Sequence, residues 1–207
     1  MLLRILIAAT VCYFLGNHNG AICVSLMLGD DVRSHGSGNA GLTNFIRSYG
    51  PGRALLVVAI DAGKAVLACL LAGLLLANDG LELQGRMLGG FFVLLGHVYP
   101  ALQGFRGGKG ILSGWFVAWM VDWRVALAIG VVFFAVYFAT RYVSLGSVLG
   151  VTTFGAGFVL LYYNDPWMWI PGILMTSLCI FAHRSNILRL LKGQERKTNL
   201  FAKGTKQ

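Results

Sequence analysis

Seven apolar stretches joined by short polar connections decide what this chain can become. They run near Leu2 to Leu28, Ala54 to Ala77, Met87 to Gln103, Gly110 to Val121, Val125 to Thr140, Ser144 to Tyr163 and Trp167 to Ala182. A helix needs about 20 mostly apolar residues to cross a hydrocarbon core of ~30 Å. The chain is 57% hydrophobic and 12% charged, against about 25% charged in soluble domains, so the stretches predict an all-α integral membrane protein built as a seven-transmembrane-helix bundle. The fourth stretch reaches only roughly 18 Å at ~1.5 Å per residue and is expected to be a half-membrane helix. No composition break or repeat divides the sequence, so residues 1–207 are read as a single domain. Met1 to Ala21 offers only Arg4 as a basic region, and Gly16, Asn17, His18 and Asn19 interrupt its apolar run, so an uncleaved first helix is expected over a signal peptide.

The formal charge of +9 would suggest nucleic acid in a soluble protein, but these cations are dispersed between apolar spans and gathered in the tail. Alternating topology sorts them. Of the 17 Lys and Arg residues, Arg4, Arg86 and Arg124 fall on one side, Lys64 lies within the second span, and the rest share the opposite side. Basic residues collect in cytoplasmic loops, which puts the N-terminus outside and the C-terminus in the cytoplasm. Cys12, Cys23, Cys69 and Cys179 stand singly in apolar surroundings, the pattern of packing residues. Trp115, Trp119, Trp123, Trp167 and Trp169, with Tyr162 and Tyr163, are read as anchors at the outer interface.

The expected cytoplasmic side carries three polar stretches: Ser34 to Arg47, Gly96 to Gly110 and His183 to Glu195. Gly107, Gly108 and Gly110 around Lys109 allow backbone to approach an anion closely, the pattern of a phosphate cradle. It is not a Walker A loop, because Gln103 occupies the first glycine position and Gly110 follows Lys109. Gly36, Gly38 and Gly41 match G-x-G-x-x-G, yet they lie between two membrane helices rather than in the βαβ unit that dinucleotide binding requires. Asp61 and Lys64, three residues apart, are expected to pair on one helix face. His183, with Asn186 three residues on, forms a donor-rich end to the last span. His97 is either a hydrogen-bonded helix terminus or a ligand contact. Glu195 and the basic residues of the tail are compatible with a solvated or headgroup-facing helix that sets Arg189, Lys192 and Arg196 near anionic lipid; for Lys203 and Lys206 that is the expected role.

At these residues the sequence resembles the bacterial PlsY family, membrane glycerol-3-phosphate acyltransferases that use acyl phosphate as donor. The motifs stand here as Gly36-Ser-Gly-Asn-Ala-Gly-Leu-Thr-Asn44 with Arg47, as Gly96-His-Val-Tyr-Pro continuing to Phe105-Arg-Gly-Gly-Lys-Gly110, and as His183-Arg-Ser-Asn-Ile continuing to Glu195. Departures are Leu42 where Ala is usual, Tyr99 where Phe is frequent, and Ile111-Leu-Ser113 where Val-Ala-Thr is common; none removes a polar site residue. The resemblance implies a seven-helix bundle in the bacterial inner membrane, with its site open to the cytoplasm. It implies Ser37, Arg47, Lys109, His183 and Asn186 as catalytic residues. Gly38, Asn39, Thr43, Asn44, His97, Arg106, Gly107, Gly108, Ser144 and Ser147 are the expected substrate contacts.

The implied reaction moves a fatty acyl group from acyl phosphate to the 1-hydroxyl of sn-glycerol 3-phosphate, giving lysophosphatidic acid and inorganic phosphate as the first step of phospholipid synthesis. Cations are needed where two phosphates share a site. The donor is a mixed anhydride with a good leaving group, and no Ser-His-Asp set is evident, so direct attack without an acyl-enzyme is expected. No metal, cofactor or nucleic acid is expected; the partners are the two substrates and membrane lipid, and the protein is expected to be a monomer. Two rival readings fit the residues less well. Acyltransferases that use thioesters usually show His-x-x-x-x-Asp, which is absent here, and a transporter would place its charges at mid-membrane, where only Asp61 and Lys64 qualify.

Overall fold

The computed structural model describes residues 1–198, and Lys203 and Lys206 lie outside them. Among the described residues the chain is helical, with ten α-helices and two short 3₁₀ turns. The helices are α1 Leu2–Asn17, α2 Gly20–Met27, α3 Leu42–Tyr49, α4 Ala54–Ala77, α5 Glu82–Val98, α6 Ile111–Val121, α7 Trp123–Thr140, α8 Val143–Leu161, α9 Pro166–Ala182 and α10 Arg184–Leu191. Three of them, α4, α7 and α8, are long and apolar enough to cross a membrane, and the number rises to five if the bent pairs α1–α2 and α9–α10 each form one span. Leu55, Leu74, Val131 and Leu160 are 74%, 72%, 68% and 76% exposed. Apolar surface of this kind marks contact with something other than water, and lipid supplies it.

Each of the seven apolar stretches contains helix, but the first is not one continuous element. It breaks at His18 and Asn19, and α2 leaves α1 at 44°. The cause is local. Asn19 takes an extended conformation and its Oδ1 accepts from Ile22 N at 3.1 Å, which starts a new helix in the middle of the expected one. The fourth stretch forms the 11-residue α6, roughly 16 Å long, as the half-helix reading required.

Small residues set the contact between α4 and α5. Gly85 and Gly89, four apart, lie against Ala68 and Ala72 of α4, so that a Cβ on Gly85 would come within 3.0 Å of the Ala72 carbonyl carbon. Such small-xxx-small faces let helix backbones touch where lipid gives no hydrophobic drive to association. Gly16 of α1 and Gly96 of α5 meet in the same way. Cys12, Cys69 and Cys179 are buried in this core. The end of the bundle away from the motifs is tied by Arg4 to Asp79 (3.0 Å), Gln84 to Asp165 (2.7 Å) and the Tyr162 hydroxyl to Asp122 (2.8 Å).

Gly89→Ile is expected to force α4 and α5 apart and to lower the thermal midpoint of the purified protein, an overpacking cost of about 1–3 kcal/mol. Gly63→Ala, whose Cβ would meet nothing within 4 Å, is expected to leave the midpoint unchanged or raise it. Tryptophan fluorescence during heating reads both.

Candidate active site

The loop before α3 is folded by its own side chains. Asn44 accepts from Ser37 N at 3.0 Å and donates to the Val32 and His35 carbonyls, each at 3.0 Å. Asn44 therefore shapes the loop that presents Ser37, and both ends of its amide are already engaged. Gly38 turns that loop at φ +69, a left-handed conformation suited to glycine, with its N–H on the His35 carbonyl. Asp31 clamps Arg33 through bonds of 2.7–3.1 Å, and Arg33 reaches across to the Gln103 carbonyl at 2.8 Å. The first and second polar stretches are thereby fastened together.

In the second stretch, Gly107 N donates to Val98 O (3.2 Å) and Gly108 N to His97 O (3.1 Å). These two N–H groups were expected to face phosphate; they instead pin the loop to the end of α5. What remains for an anion is Lys109 and the start of α6, which has no side-chain cap and so presents first-turn N–H groups in the manner of an anion site. Gly110 makes the turn into α6 at φ +79.

The third stretch closes the arrangement. Lys109 Nζ donates to Asn186 Oδ1, Asn186 Nδ2 to Glu195 at 2.6 Å, and Arg189 Nε to the other Glu195 oxygen at 2.6 Å. The Arg47 guanidinium donates to the Thr198 hydroxyl, and Thr198 is held by bonds from its N–H to Arg141 O (3.0 Å) and from the Tyr137 hydroxyl to its carbonyl (3.2 Å).

All three stretches open onto one cavity of about 640 Å³. Ser37, Asn39, Thr43, Asn44, Arg47, His97, Lys109, Ser144, Ser147, His183 and Asn186, all candidates from the sequence, are brought together in its wall. Gly38, Gly107 and Gly108 lie behind the wall, shaping it. Arg106 is not in the wall; its side chain is exposed and its carbonyl takes a long bond of 3.4 Å from Arg33. Arg184 also turns away, over the Phe181 ring at 4.5 Å. Arg189, Glu195, Arg196 and Thr198 do line the cavity, so of the two roles open to Arg189 and Arg196 the structure favours the site over a headgroup-facing surface. The spacing of Glu195 within the third motif was the available signal. Trp115 is another correction: its ring is in the cavity wall and its Nε1–H is bonded to Ala126 O at 2.9 Å, so it is not an interfacial anchor.

The cavity wall changes character along α7 and α8. Ser144 and Ser147 lie in the first turns of α8. Ser147 donates back to Val143 O at 2.8 Å. The buried Ser144 hydroxyl has no well-formed hydrogen bond, but it lies near enough to the Glu195 carboxylate to help hold that group ionised. Beyond them the lining is apolar: Ile129, Phe133 and Phe134 of α7, and Val151 and Phe154 of α8. Ser144 and Phe154 are ten helical residues apart, so the apolar part extends roughly 15 Å from the polar end.

Charge and burial tune the polar end. Burial pushes the Lys109 ammonium down to about 8; nearby Arg189 and Arg47 add to the fall and Glu195 opposes it. Burial and the Lys109 charge bring His183 down to about 4. His183 Nδ1 lies 2.8 Å from the Cys179 carbonyl; a carbonyl can only accept, so Nδ1 carries the hydrogen and Nε2 is a bare acceptor. Glu195 is pushed up by burial, but its bonds from Asn186 and Arg189 outweigh that and keep it ionised.

The comparisons with known proteins agree with this geometry. The family model for glycerol-3-phosphate acyltransferase matches residues 6–193. The chain belongs to the glycerol-3-phosphate acyltransferase family. A relative from Thermoanaerobacter sp. strain X514, named glycerol-3-phosphate acyltransferase, is 41% identical over 92% of this chain and 94% of its own. Glycerol-3-phosphate acyltransferase 1 of Deinococcus radiodurans is 36% identical over 95% and 97%. Two crystal structures of PlsY, described as an integral membrane glycerol 3-phosphate acyltransferase, superpose on it at 30% identity. The glycerol 3-phosphate form gives a TM-score of 0.83 over 96% of this chain and 99% of that one. The lysophosphatidic acid form gives 0.80 over 94% and 95%. This chain is thus an integral membrane glycerol-3-phosphate acyltransferase.

A group that must be protonated to hold phosphate is lost as pH rises through its own pKa. If Lys109 binds substrate as the cation, kcat/KM is expected to fall on the alkaline side with an apparent pKa near about 8. Lys109→Arg, which stays charged, is expected to move that limb to higher pH; rate profiles between pH 6 and 10 test it.

Proposed function

We propose that the protein transfers a fatty acyl group from acyl phosphate to the 1-hydroxyl of sn-glycerol 3-phosphate at the cytoplasmic face of a bacterial inner membrane, acting as one transmembrane acyltransferase domain. The observation that carries this reading is the junction inside one cavity: Arg47, Lys109, His183 and Asn186 at one end, and a channel of α7 and α8 side chains at the other. The polar end suits phosphate and the apolar end suits an acyl chain. A donor phosphate beside the phosphate of the acceptor calls for several cations in one place, and Arg47, Lys109, Arg189 and Arg196 all line the cavity.

Arg47 and Lys109 would offset repulsion between the two phosphates, with Ser37, Asn39, Thr43 and Ser144 as neutral donors. The glycerol hydroxyl oxygen attacks the acyl carbonyl carbon, a new ester C–O bond forms, and the bond from that carbon to the phosphate oxygen breaks. His183 Nε2 accepts a hydrogen bond from the attacking hydroxyl and aligns it. With its pKa near about 4, His183 is a weaker base than a phosphate monoester, whose second pKa is about 6. The proton therefore leaves with the inorganic phosphate, and no acyl-enzyme is needed. The catalysis required of the protein is positioning and charge stabilisation.

The transporter reading loses its site: Asp61 and Lys64 face each other at 2.7 Å and are further bonded to Gly20 N, Gly16 O and His18 O.

Purified protein in detergent, given glycerol 3-phosphate and either palmitoyl phosphate or palmitoyl-coenzyme A, is expected to form lysophosphatidic acid and phosphate from the acyl phosphate alone. Lys109→Ala is expected to lower that rate by about 10²–10³, the usual effect of removing one transition-state donor. Product from the thioester alone would overturn the donor.

A further inference from the structure

The break between α1 and α2 leaves backbone groups of Gly16, His18 and Gly20 without helical partners, and in lipid each must be satisfied within the protein. Two residues of α4 do this. Lys64 Nζ donates to His18 O at 3.0 Å and, at 3.4 Å, to Gly16 O. Asp61 Oδ1 accepts from Gly20 N at 3.0 Å and lies 2.7 Å from Lys64 Nζ. Both side chains are under 5% exposed. Stability alone is a poor reason for such a pair, because apolar residues of similar volume replace buried ion pairs at little or no cost.

Its other contact points to the site. Lys64 Nζ is 2.8 Å from His97 Nδ1. An ammonium only donates, so Nδ1 accepts and the ring hydrogen sits on Nε2. That nitrogen faces the phosphate loop: a Cβ added to Gly108 would meet it, and would also come within 2.6 Å of the Ala40 carbonyl oxygen. Gly108 N bonds back to the His97 carbonyl. Ala40 belongs to the loop that carries Ser37 and Asn39, and its carbonyl accepts from Asn19 Nδ2 at 3.0 Å, at the same helix break. A single buried assembly thus joins the break to both polar stretches.

We infer that Asp61, Lys64 and His97 are positioning residues which, through the α1–α2 break, fix the Gly107–Lys109 loop and the Ser37 loop in register for the phosphate of glycerol 3-phosphate. The inference rests on the reading of that cavity as the glycerol 3-phosphate site. Lys64 is not among the residues that line the cavity, whereas Asp61 and His97 reach its wall; the pair acts on the site through His97 and the Gly108 turn, setting where Lys109 begins. Small displacements of binding groups can cost about 10²-fold in rate.

The test separates fold from position. Lys64→Met leaves Asp61 buried without its cation and is expected to lower the thermal midpoint. Asp61→Leu/Lys64→Met removes both charges and is expected to recover part of the midpoint lost by Lys64→Met, the Gly20 N–H and the Gly16 and His18 carbonyls staying unpaired. The double variant should nevertheless keep a KM for glycerol 3-phosphate raised about 10-fold or more, with the KM of the acyl donor changed less than about 2-fold. A double variant with the wild-type KM for glycerol 3-phosphate would show that the pair serves the fold alone. If the double variant does not fold, Lys64→Gln decides, because Lys64 is not among the residues that line the cavity: a raised KM for glycerol 3-phosphate supports positioning, and an unchanged KM overturns it. Every variant is compared with wild-type protein on whichever acyl donor that protein accepts, so an error in the donor assignment appears in the wild type and leaves this comparison intact.

Discussion

Arg47, Lys109, Arg189 and Arg196 share one partly buried cavity, with Glu195 as the carboxylate bonded among them. Like charges withdrawn from water repel each other and lose hydration, and the arrangement is costly until an anion enters. The surrounding structure can be understood as the means of holding that unfavourable cluster together. Glu195 takes Asn186 and Arg189; Asn186 takes Lys109; Thr198 takes Arg47; Arg33 ties the first loop to the second. Lys109, Arg47 and Arg189 each have a neutral or acidic partner that keeps them in place without neutralising the cavity. A phosphate group supplies what is missing, and burial gives its interactions with those cations more weight than they would have in water.

The same cavity joins two solvents. α8 carries the junction within a few turns, hydroxyls at Ser144 and Ser147 giving way to Gly150, Val151 and Phe154. A reaction between a water-soluble phosphate ester and a lipid-soluble chain needs such a border, because neither substrate enters the other's environment cheaply. The half-helix α6 contributes from both directions: its uncapped start faces the polar end, and Trp115 one turn further on forms part of the apolar wall.

Much of this was legible in the residues. The apolar stretches give the helices because membrane-spanning segments are long and compositionally uniform, and the three motifs give the cavity because glycine, serine and basic residues are conspicuous between such segments. The Asp61–Lys64 pair was legible from its i,i+3 spacing. Other features depend on tertiary partners that no local pattern reveals. The break at Asn19 needs Asp61 and Lys64 to satisfy it. Gly107 and Gly108 appear free for phosphate until the end of α5 is seen to take their N–H groups. Trp115 has the composition of an interfacial anchor, but the groove between α6 and α7 claims its ring. Arg196 and Thr198 resemble a surface tail because the chain turns back over the cavity only after α10, where periodicity ends.

The central claim is that Lys109, Arg47 and the start of α6 converge on one phosphate, with the acceptor hydroxyl directed to His183. An experimental structure of this protein with glycerol 3-phosphate bound tests it most directly. The account predicts phosphate oxygens within about 2.7–3.1 Å of Lys109 Nζ and an Arg47 guanidinium nitrogen, and the 1-hydroxyl within hydrogen-bond reach of His183 Nε2. A phosphate held by Arg106 and Arg184 outside the cavity, with Lys109 still bonded to Asn186 and no ligand contact, would contradict it.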